Sequence, residues 1–412
     1  MPTIQCRPIV APDDTRTHAP RTGSRSRQTR AIAVALGLVV VVVAVAFAAT
    51  RGSNRPPHPS TSLPGTSVPG TDAPTTSTAA PHGSLEPGDA IVGFASLEEL
   101  RERGREAAAG AQPAAAAVQQ LLAWADGERD YQPRPSERLR INGTTGPFVD
   151  DTATAYGLAL AWAVRGDPAD ARASLRIVMA WVTTTTRLSN ACPDGGECQT
   201  ALIVSRNAPG FVFAMELIDA SGIATKEQSD AFDAWLRDLI LPAASTRSNN
   251  WGDAGAFLRA AATARLGDEA GWKEALDFWR DQTNRIDPDG QIPEEVRRGS
   301  SGLSYTQEAL LYKVAVARLA ERRGVDLWSY QAPNGGTLQA AVDFAARSLE
   351  DPGGWPAGRV DRPDPAPVWE LVEQHWPSPV VASLVREDRP YGEDGHSTVR
   401  WTTVTNGVQL AP

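Results

Sequence analysis

The sequence contains few histidines and cysteines for its length. Its 412 residues include five histidines and three cysteines, and after residue 88 the only histidines are His375 and His396. There is no HExxH and no cluster of cysteine and histidine, which argues against a histidine-based metal site. Neither a glycine-rich phosphate loop nor a G-x-S-x-G motif is present. The expected chemistry therefore needs no metal and no cofactor.

The sequence also has no excess of basic charge. Its formal net charge is −9 at pH 7, which argues against a nucleic-acid partner. The first 30 residues differ from the rest, because they carry six arginines against the two acids Asp13 and Asp14. Residues 1–30 are predicted to be a disordered cytoplasmic tail.

Charged residues are absent from "AIAVALGLVVVVVAVAFAAT", residues 31–50. A helix of this length spans roughly 28 Å, which is close to the hydrocarbon thickness of a bilayer. The arginines before it favour a cytoplasmic N-terminus. The segment is interpreted as an uncleaved transmembrane signal-anchor. Its small residues at "AFAAT" leave a cleaved signal peptide open, which would make the protein secreted.

Large apolar residues are scarce in residues 51–88, which are rich in proline, serine, threonine and glycine. This composition predicts an extended linker between the membrane and an extracellular domain at residues 89–412. Cys6 lies in the tail, whereas Cys192 and Cys198 flank "PDGGE". In an exported domain this spacing predicts a disulfide worth roughly 2 kcal/mol. No further ligands are visible nearby that would favour a metal site.

Runs of alternating polarity that would indicate β-strands are nearly absent after residue 97. Instead, apolar residues recur with helical period in successive segments, joined by breaks such as "RGDPAD" and "LGDEAG". Six tryptophans inside these segments are expected in the core: Trp124, Trp162, Trp181, Trp235, Trp272 and Trp279. Residues 351–412 are expected to add one more helix and a turn-rich tail. The pattern predicts an all-α fold of helical hairpins, and periodicity alone leaves open whether they form a solenoid or a ring.

Two segments contain unusual polar residues at predicted helix starts. In "SNNWGD" the helix is expected to begin near Gly252, with Asn249, Asn250 and Trp251 just before it. One asparagine suffices for a cap, but two stand here beside an aromatic residue. In "IPEEVRRGSSGLSY" a tyrosine, Tyr305, is expected at the start of the next helix. From the residues alone, both segments can be either scaffold or site.

These segments resemble the signature regions of the alginate lyase family, whose fold is an (α/α) toroid. That family has an "NNH" stretch before one helix and a second stretch that aligns without a gap on "IPEEVRRGSSGLSY". In the second stretch a Pro-x-Glu is followed by an essential arginine seven residues before an essential tyrosine. The matching residues are Arg298 and Tyr305. The resemblance covers about residues 140–350 and is dense only in these two segments.

The resemblance implies cleavage of a uronate-containing, anionic polysaccharide by β-elimination. Asn250 and Arg298 would neutralise the uronate carboxylate, with Asn249 assisting. Tyr305 would carry the proton transfers. The carboxylates Asp253, Glu294 and Glu295 also allow an inverting glycoside hydrolase. However, Arg298 is expected to keep Glu294 and Glu295 ionised, which suits a structural ion pair better.

The chain departs from the family pattern at one position, where Trp251 replaces the histidine. Since indole is no base, three explanations stay open. Tyr305 carries both proton transfers while Trp251 stacks on a sugar, or His396 replaces the missing imidazole, or the domain binds glycans without cleaving them. Arg297 is a candidate for holding the polyanion, or a solvated neighbour. His375 is expected to pack within the last helix.

Overall fold

The computed structural model describes residues 93–393 and 397–410. The predicted tail, membrane helix and linker lie outside these ranges, as do Cys6 and His396. In chain order the described helices are α1 (Leu97–Ala108), α2 (Ala114–Glu128), α3 (Pro147–Arg165), α4 (Pro168–Thr184), α5 (Thr200–Ser221), α6 (Lys226–Trp235), α7 (Asn250–Arg265), α8 (Glu269–Thr283), α9 (Pro293–Val296), α10 (Gly302–Arg322), α11 (Leu338–Glu350), α12 (Val368–His375), α13 (Pro379–Asp388) and α14 (Thr402–Asn406).

The predicted breaks between helices have clear local causes. Gly166 ends α3 with a φ of 76°, a left-handed conformation that glycine adopts without strain. Asp167 then caps α4 by accepting a hydrogen bond from the amide of Ala169, and Pro168 occupies the first turn. The only strands in the described ranges, β1 (Arg138–Leu139) and β2 (Arg187–Leu188), form a parallel pair.

The helices form a ring of hairpins. Helices α3, α5, α7 and α10 pack against one another in succession, and α4, α8 and α11 pack outside them. From α10 the ring continues through α12 and α14 to α1 and α2, which contact α3. The predicted all-α toroid is therefore confirmed, and the ring rather than the open solenoid is the arrangement adopted.

The interior of the ring is filled by large apolar side chains. Phe94, Phe213, Phe257 and Tyr312 form a chain of aromatic contacts with ring centroids 5.4–6.2 Å apart. Five of the six tryptophans expected in the core are buried there, and Trp124 is half-buried against it. Burial of this apolar surface is the main source of stability for such a fold.

The end of the chain differs from the expectation of one helix and a turn-rich tail. Three helices, α12, α13 and α14, follow residue 351, and Trp401 is buried against Trp124 with ring centroids 5.3 Å apart. Gly157 of α3 makes room, since a Cβ there would lie 2.3 Å from the Trp124 ring. The many prolines and glycines of this region predicted turns, but the region contains short helices that are stabilised by tertiary contacts.

Within the described ranges, one helix is long and apolar enough to cross a membrane. This is α5, whose apolar window is 94% buried inside the structure. Its composition therefore reflects its place in the centre of the ring, between α3 and α7.

Candidate functional site

The first segment begins α7 two residues earlier than expected. Asn249 is the cap, and its side chain accepts a hydrogen bond from the amide of Trp251 at 3.0 Å. Asn250 is the first helical residue and is buried. Gly252 and Gly255 allow the preceding chain to pass close by, because a Cβ there would lie 1.8 Å from the Arg247 carbonyl and 1.9 Å from the Ser245 carbonyl.

Glu295 connects the two segments. Its Oε1 accepts a hydrogen bond from the backbone amide of Asn250 at 2.7 Å, and its Oε2 lies 2.7 Å from Nε of Arg298 in an ion pair. Burial raises the pKa of Glu295 even though Arg298 and the Asn250 amide oppose the increase. The ion pair of Arg298 with Glu295 that the sequence predicts is present, and Arg298 does favour the ionised carboxylate, but desolvation acts in the opposite direction and is the larger effect.

Arg298 reaches both of the other predicted catalytic residues. Its Nη2 donates to Oδ1 of Asn250 at 3.3 Å, and its guanidinium carbon lies 4.2 Å from the centroid of the Tyr305 ring. Asn250, Arg298 and Tyr305 are thus gathered at one place from α7, the α9–α10 loop and the first turn of α10. Because Oδ1 of Asn250 accepts from Arg298, its amide NH₂ is the group that can donate to a carboxylate.

A buried ion pair lies behind this group. Lys313 of α10 donates to Oδ1 of Asp253 at 2.7 Å, and both side chains are fully buried. Lys313 also donates to the Gln282 carbonyl at 2.9 Å. Burial raises the pKa of Asp253 and lowers that of Lys313. A glycoside hydrolase would need two available carboxylates. Here both Asp253 and Glu295 are buried, and each forms an ion pair with a cationic side chain.

Trp251 is half-buried and one face of its ring is covered. The guanidinium carbon of Arg247 lies 3.9 Å from the ring centroid, and Arg247 forms an ion pair with Glu197. Glu197 precedes Cys198, which the structure joins to Cys192 in a disulfide. On the covered face a sugar would meet the Arg247 guanidinium instead of the indole.

A cavity of about 500 Å³ borders the Tyr305 position. Ser304 and Glu308, which flank Tyr305 on α10, line it together with Arg206 of α5. Loops before α12 and after α13 form the other side, with Asp364, Asp388 and Tyr391. Asn250, Arg298 and Tyr305 are not themselves lining residues, so the cavity adjoins this group only through the neighbours of Tyr305 on α10.

The other predicted residues are placed as follows. Arg297 is exposed, and His396 is outside the described residues. His375 is not in the last helix, since α13 and α14 follow it; it ends α12 and stacks on Trp328 with centroids 4.1 Å apart. No group of three or more histidine, cysteine or acidic side chains in the described part of the chain is placed to hold a metal ion.

Sequence reasoning missed Arg247 and Lys313. Lys313 had a signal, since it is a single lysine inside the apolar run "ALLYKVAVARLA" and therefore required a buried partner. Arg247 had almost none, because its contact with Trp251 depends on how the chain turns before α7.

Comparison with known proteins identifies the family. The alginate lyase family model matches residues 106–355, which is more than half of the chain. This chain belongs to the alginate lyase family. A polysaccharide lyase of Stenotrophomonas maltophilia is 28% identical over 232 residues, which cover 52% of this chain and 64% of the relative. An alginate lyase of Cobetia marina is 22% identical over 197 residues, covering 45% of this chain and 51% of the relative. The chain thus aligns with about half to two thirds of these relatives.

The fold is also that of solved alginate lyases. Alginate lyase A1-III, an enzyme of Sphingomonas species A1, has been solved in complex with a tetrasaccharide. That structure superposes with a TM-score of 0.63 at 15% sequence identity, covering 78% of this chain and 97% of the A1-III chain. At this identity the similarity shows the toroid fold alone.

Proposed function

We propose that this alginate lyase family member cleaves a uronate-containing polysaccharide by β-elimination. The observation that supports it most is the meeting of Asn250, Arg298 and Tyr305, which come from two segments about 50 residues apart in the chain. These are the side chains that an elimination next to a carboxylate needs, and Glu295 fixes the first two relative to each other.

The reaction requires removal of the C5 proton beside an ionised carboxylate. The amide NH₂ of Asn250 and the guanidinium of Arg298 offset the negative charge that builds up there. Tyr305, as the phenolate, takes the C5 proton. The C–H electrons then form the C4=C5 double bond, the C4–O4 bond breaks, and Tyr305 returns the proton to O4. One product carries the unsaturated uronate and the other a new reducing end.

Because Trp251 stands where the family has its histidine, the proposal restricts which uronates can be cleaved. If Tyr305 performs both transfers, the C5 hydrogen and the C4 oxygen must lie on the same face of the ring. D-Mannuronate and D-glucuronate meet this condition, whereas L-guluronate and D-galacturonate do not. The alternative base, His396, would remove this restriction, so cleavage of polyguluronate would favour it.

Location at the cell surface is part of the proposal. It rests on the uncharged segment at residues 31–50, the arginines before it and the linker at residues 51–88. The domain at residues 89–412 would then face the outside of the cell, where a polysaccharide is accessible.

One observation favours a second candidate, a domain that binds glycans without cleaving them. Trp251 supplies no base, and Arg247 covers one face of its ring. Such a domain would keep the carboxylate-binding group of Asn250 and Arg298 but not turn its ligand over.

The test is absorbance near 235 nm, where the C4=C5 double bond absorbs, with the full-length protein and a panel of uronate polymers. We expect a rise with polymers of D-mannuronate or D-glucuronate. Tyr305→Phe is expected to reduce turnover by about a thousandfold while the affinity changes by less than about threefold. Tyr330→Phe is the matched control, because this hydroxyl bonds Asn284 instead.

Binding without any rise in absorbance would support the glycan-binding candidate. New reducing ends without absorbance would show hydrolysis. Near-normal turnover in Tyr305→Phe would remove Tyr305 from the mechanism.

A further inference from the structure

The residue at the position of the family histidine is in contact with a cation that the proposed reaction does not use. The guanidinium carbon of Arg247 lies 3.9 Å from the centroid of the Trp251 ring. Trp251 directly follows Asn250, whose Oδ1 accepts a hydrogen bond from Arg298. Two arginine side chains therefore contact two adjacent residues at the start of α7. Arg298 is assigned to the uronate that reacts, whereas Arg247 has no role in the proposed reaction.

The backbone of Arg247 is fixed, whereas its guanidinium lies at the surface. The Arg247 carbonyl accepts a hydrogen bond from the side-chain amide of the buried Gln282 at 3.2 Å. The missing side chain of Gly252 allows this carbonyl to lie close to α7. The guanidinium contacts the Trp251 ring and the carboxylate of Glu197. The side chain therefore starts from a defined place beside α7, and its charged end can change partner.

The ion pair between Arg247 and Glu197 is of the kind that a ligand can replace. The two side chains are 42% and 57% exposed. Exposed ion pairs contribute little to stability, because water and salt screen both charges. Arg298 differs, since its partner Glu295 is fully buried and would be left there as an unpaired charge. A substrate carboxylate can thus take the place of Glu197 at small cost.

A short loop of defined geometry presents Glu197 to Arg247. The loop is closed by the disulfide between Cys192 and Cys198. Glu197 directly precedes Cys198 and forms an antiparallel bridge with Ala191. The loop therefore supplies the arginine with a carboxylate of the protein's own, in the position that a carboxylate of an anionic polymer would need.

We propose that Arg247 is a substrate-binding residue, which exchanges the Glu197 carboxylate for the carboxylate of a second uronate in the same polymer chain. The Trp251 ring keeps the guanidinium oriented through a cation–π contact. The planar guanidinium can bind either carboxylate through a pair of N–H groups. On this face Trp251 supports the arginine and does not stack on a sugar. The inference rests on the proposed lyase function and adds a second carboxylate site to it.

The test measures the affinity of the full-length protein for polymers of D-mannuronate and of D-glucuronate by calorimetry. Tyr305→Phe is present throughout, so that the polymer is not consumed. For the polymer that is bound more tightly, Arg247→Gln is expected to weaken binding by about tenfold, because a charge-assisted contact is lost. Glu197→Gln is expected to strengthen it by about threefold, because the polymer no longer competes with an internal carboxylate.

The double variant separates substrate binding from a structural role. When Arg247 is already glutamine, Glu197→Gln should change the affinity by less than about 1.5-fold, since the competition has disappeared. An ion pair that only stabilises the loop would make both single changes act in the same direction. Arg247→Lys is the second variant if glutamine impairs folding. It keeps the charge but loses the planar fork, and is expected to weaken binding by about threefold.

A matched pair of control variants exists at the far end of α10. The guanidinium carbon of Arg323 lies 4.8 Å from the centroid of the Trp272 ring, and Arg323 forms an ion pair with the exposed Glu269 at 2.6 Å. Arg323 directly follows α10 and is about 27 Å along the helix axis from Tyr305. Arg323→Gln and Glu269→Gln remove the same charges from the same kind of contact. Each should leave the affinity within about 1.5-fold.

The inference is overturned if Arg247→Gln leaves the affinity unchanged, if Glu197→Gln weakens it, or if the control changes have effects equal to those at Arg247 and Glu197. It also fails if the protein binds neither polymer. If a polymer is bound but the protein with Tyr305 intact gives no rise near 235 nm, the lyase proposal fails for that polymer. The same affinities then still decide whether Arg247 binds a uronate.

Discussion

At the residue scale, Arg298 is held in position mainly by its ion pair with the Glu295 carboxylate and less by packing. It is about one third exposed, whereas Glu295 is fully buried and fixed by the start of α7. A guanidinium held in this way keeps one orientation over the Tyr305 ring, which a long, flexible side chain would not do alone. We therefore regard Glu295 as a positioning residue that acts through Asn250 and Arg298.

Glu295→Gln is expected to lower kcat/KM by about tenfold to a hundredfold, mainly through kcat, because the amide still accepts from Asn250 but no longer pairs with Arg298. Since burial raises the pKa of Glu295, its charge is unfavourable at neutral pH. The free energy of unfolding should therefore change by less than about 1 kcal/mol. Steady-state kinetics and urea unfolding measure the two effects.

Glu294→Gln is the control for this change. Glu294 is adjacent and half-buried, and its carboxylate lies 3.8 Å from Nε of Arg285. The kcat/KM of Glu294→Gln should stay within about threefold of that of the unaltered protein. A loss in Glu294→Gln equal to that in Glu295→Gln would point to a general effect of charge instead of positioning.

At the element scale, the first turn of α7 depends on glycine. Gly252 faces the chain that leads into the helix, and a Cβ there would lie 1.8 Å from the Arg247 carbonyl and 2.8 Å from the Gln282 side chain. This close approach fixes where α7 starts and hence where Asn250 lies. The same turn brings Arg247 back over Trp251.

Gly252→Ala is expected to destabilise the protein by about 2–4 kcal/mol, because backbone atoms must move to admit the methyl group. Gly127→Ala serves as the comparison, since a Cβ at this exposed helical position meets nothing within 4 Å. That change should be neutral or stabilise by up to about 1 kcal/mol. Urea unfolding of both variants measures this, and equal stabilities would refute the argument from close approach.

At the scale of the whole molecule, ionic contacts connect α10 to α12, through which the ring continues towards α1. Glu321 near the end of α10 lies 2.7 Å from Arg318 and 3.5 Å from Nδ1 of His375, the last residue of α12. Burial opposes ionisation of Glu321, but the contacts with His375 and Arg318 outweigh it and lower its pKa to about 2.

Because this pKa is lower in the folded state, Glu321 contributes stability above its unfolded value of about 4.5, and the contribution disappears as the pH falls towards 2. Glu321→Gln should cost about 1–2 kcal/mol at pH 6, allowing for solvent screening. The difference from the unaltered protein should shrink between pH 4.5 and 3. Glu350→Gln, at an exposed site, should show no such trend in urea unfolding.

Much of the fold and part of the site were predictable from local pattern. The period of apolar residues indicated the helices, and "RGDPAD" contained the glycine, cap and proline that separate α3 from α4. The signature segments indicated Arg298 and Tyr305. The helix start at Asn250 was missed because tertiary contacts determine where α7 begins. In these contacts the Glu295 carboxylate accepts a hydrogen bond from the Asn250 amide.

The sequence by itself determined that the chain is helical and which two segments carry the unusual polar residues, because helical period and capping are local properties. Only the tertiary structure decided that the hairpins close into a ring, that the C-terminal segment around Trp401 is buried, and that Glu295 joins the two signature segments. These features depend on contacts between residues far apart in the chain, such as Arg206 with Glu308 and Trp124 with Trp401. A local sequence pattern does not show which distant side chain forms an ion pair with a given residue or packs against it.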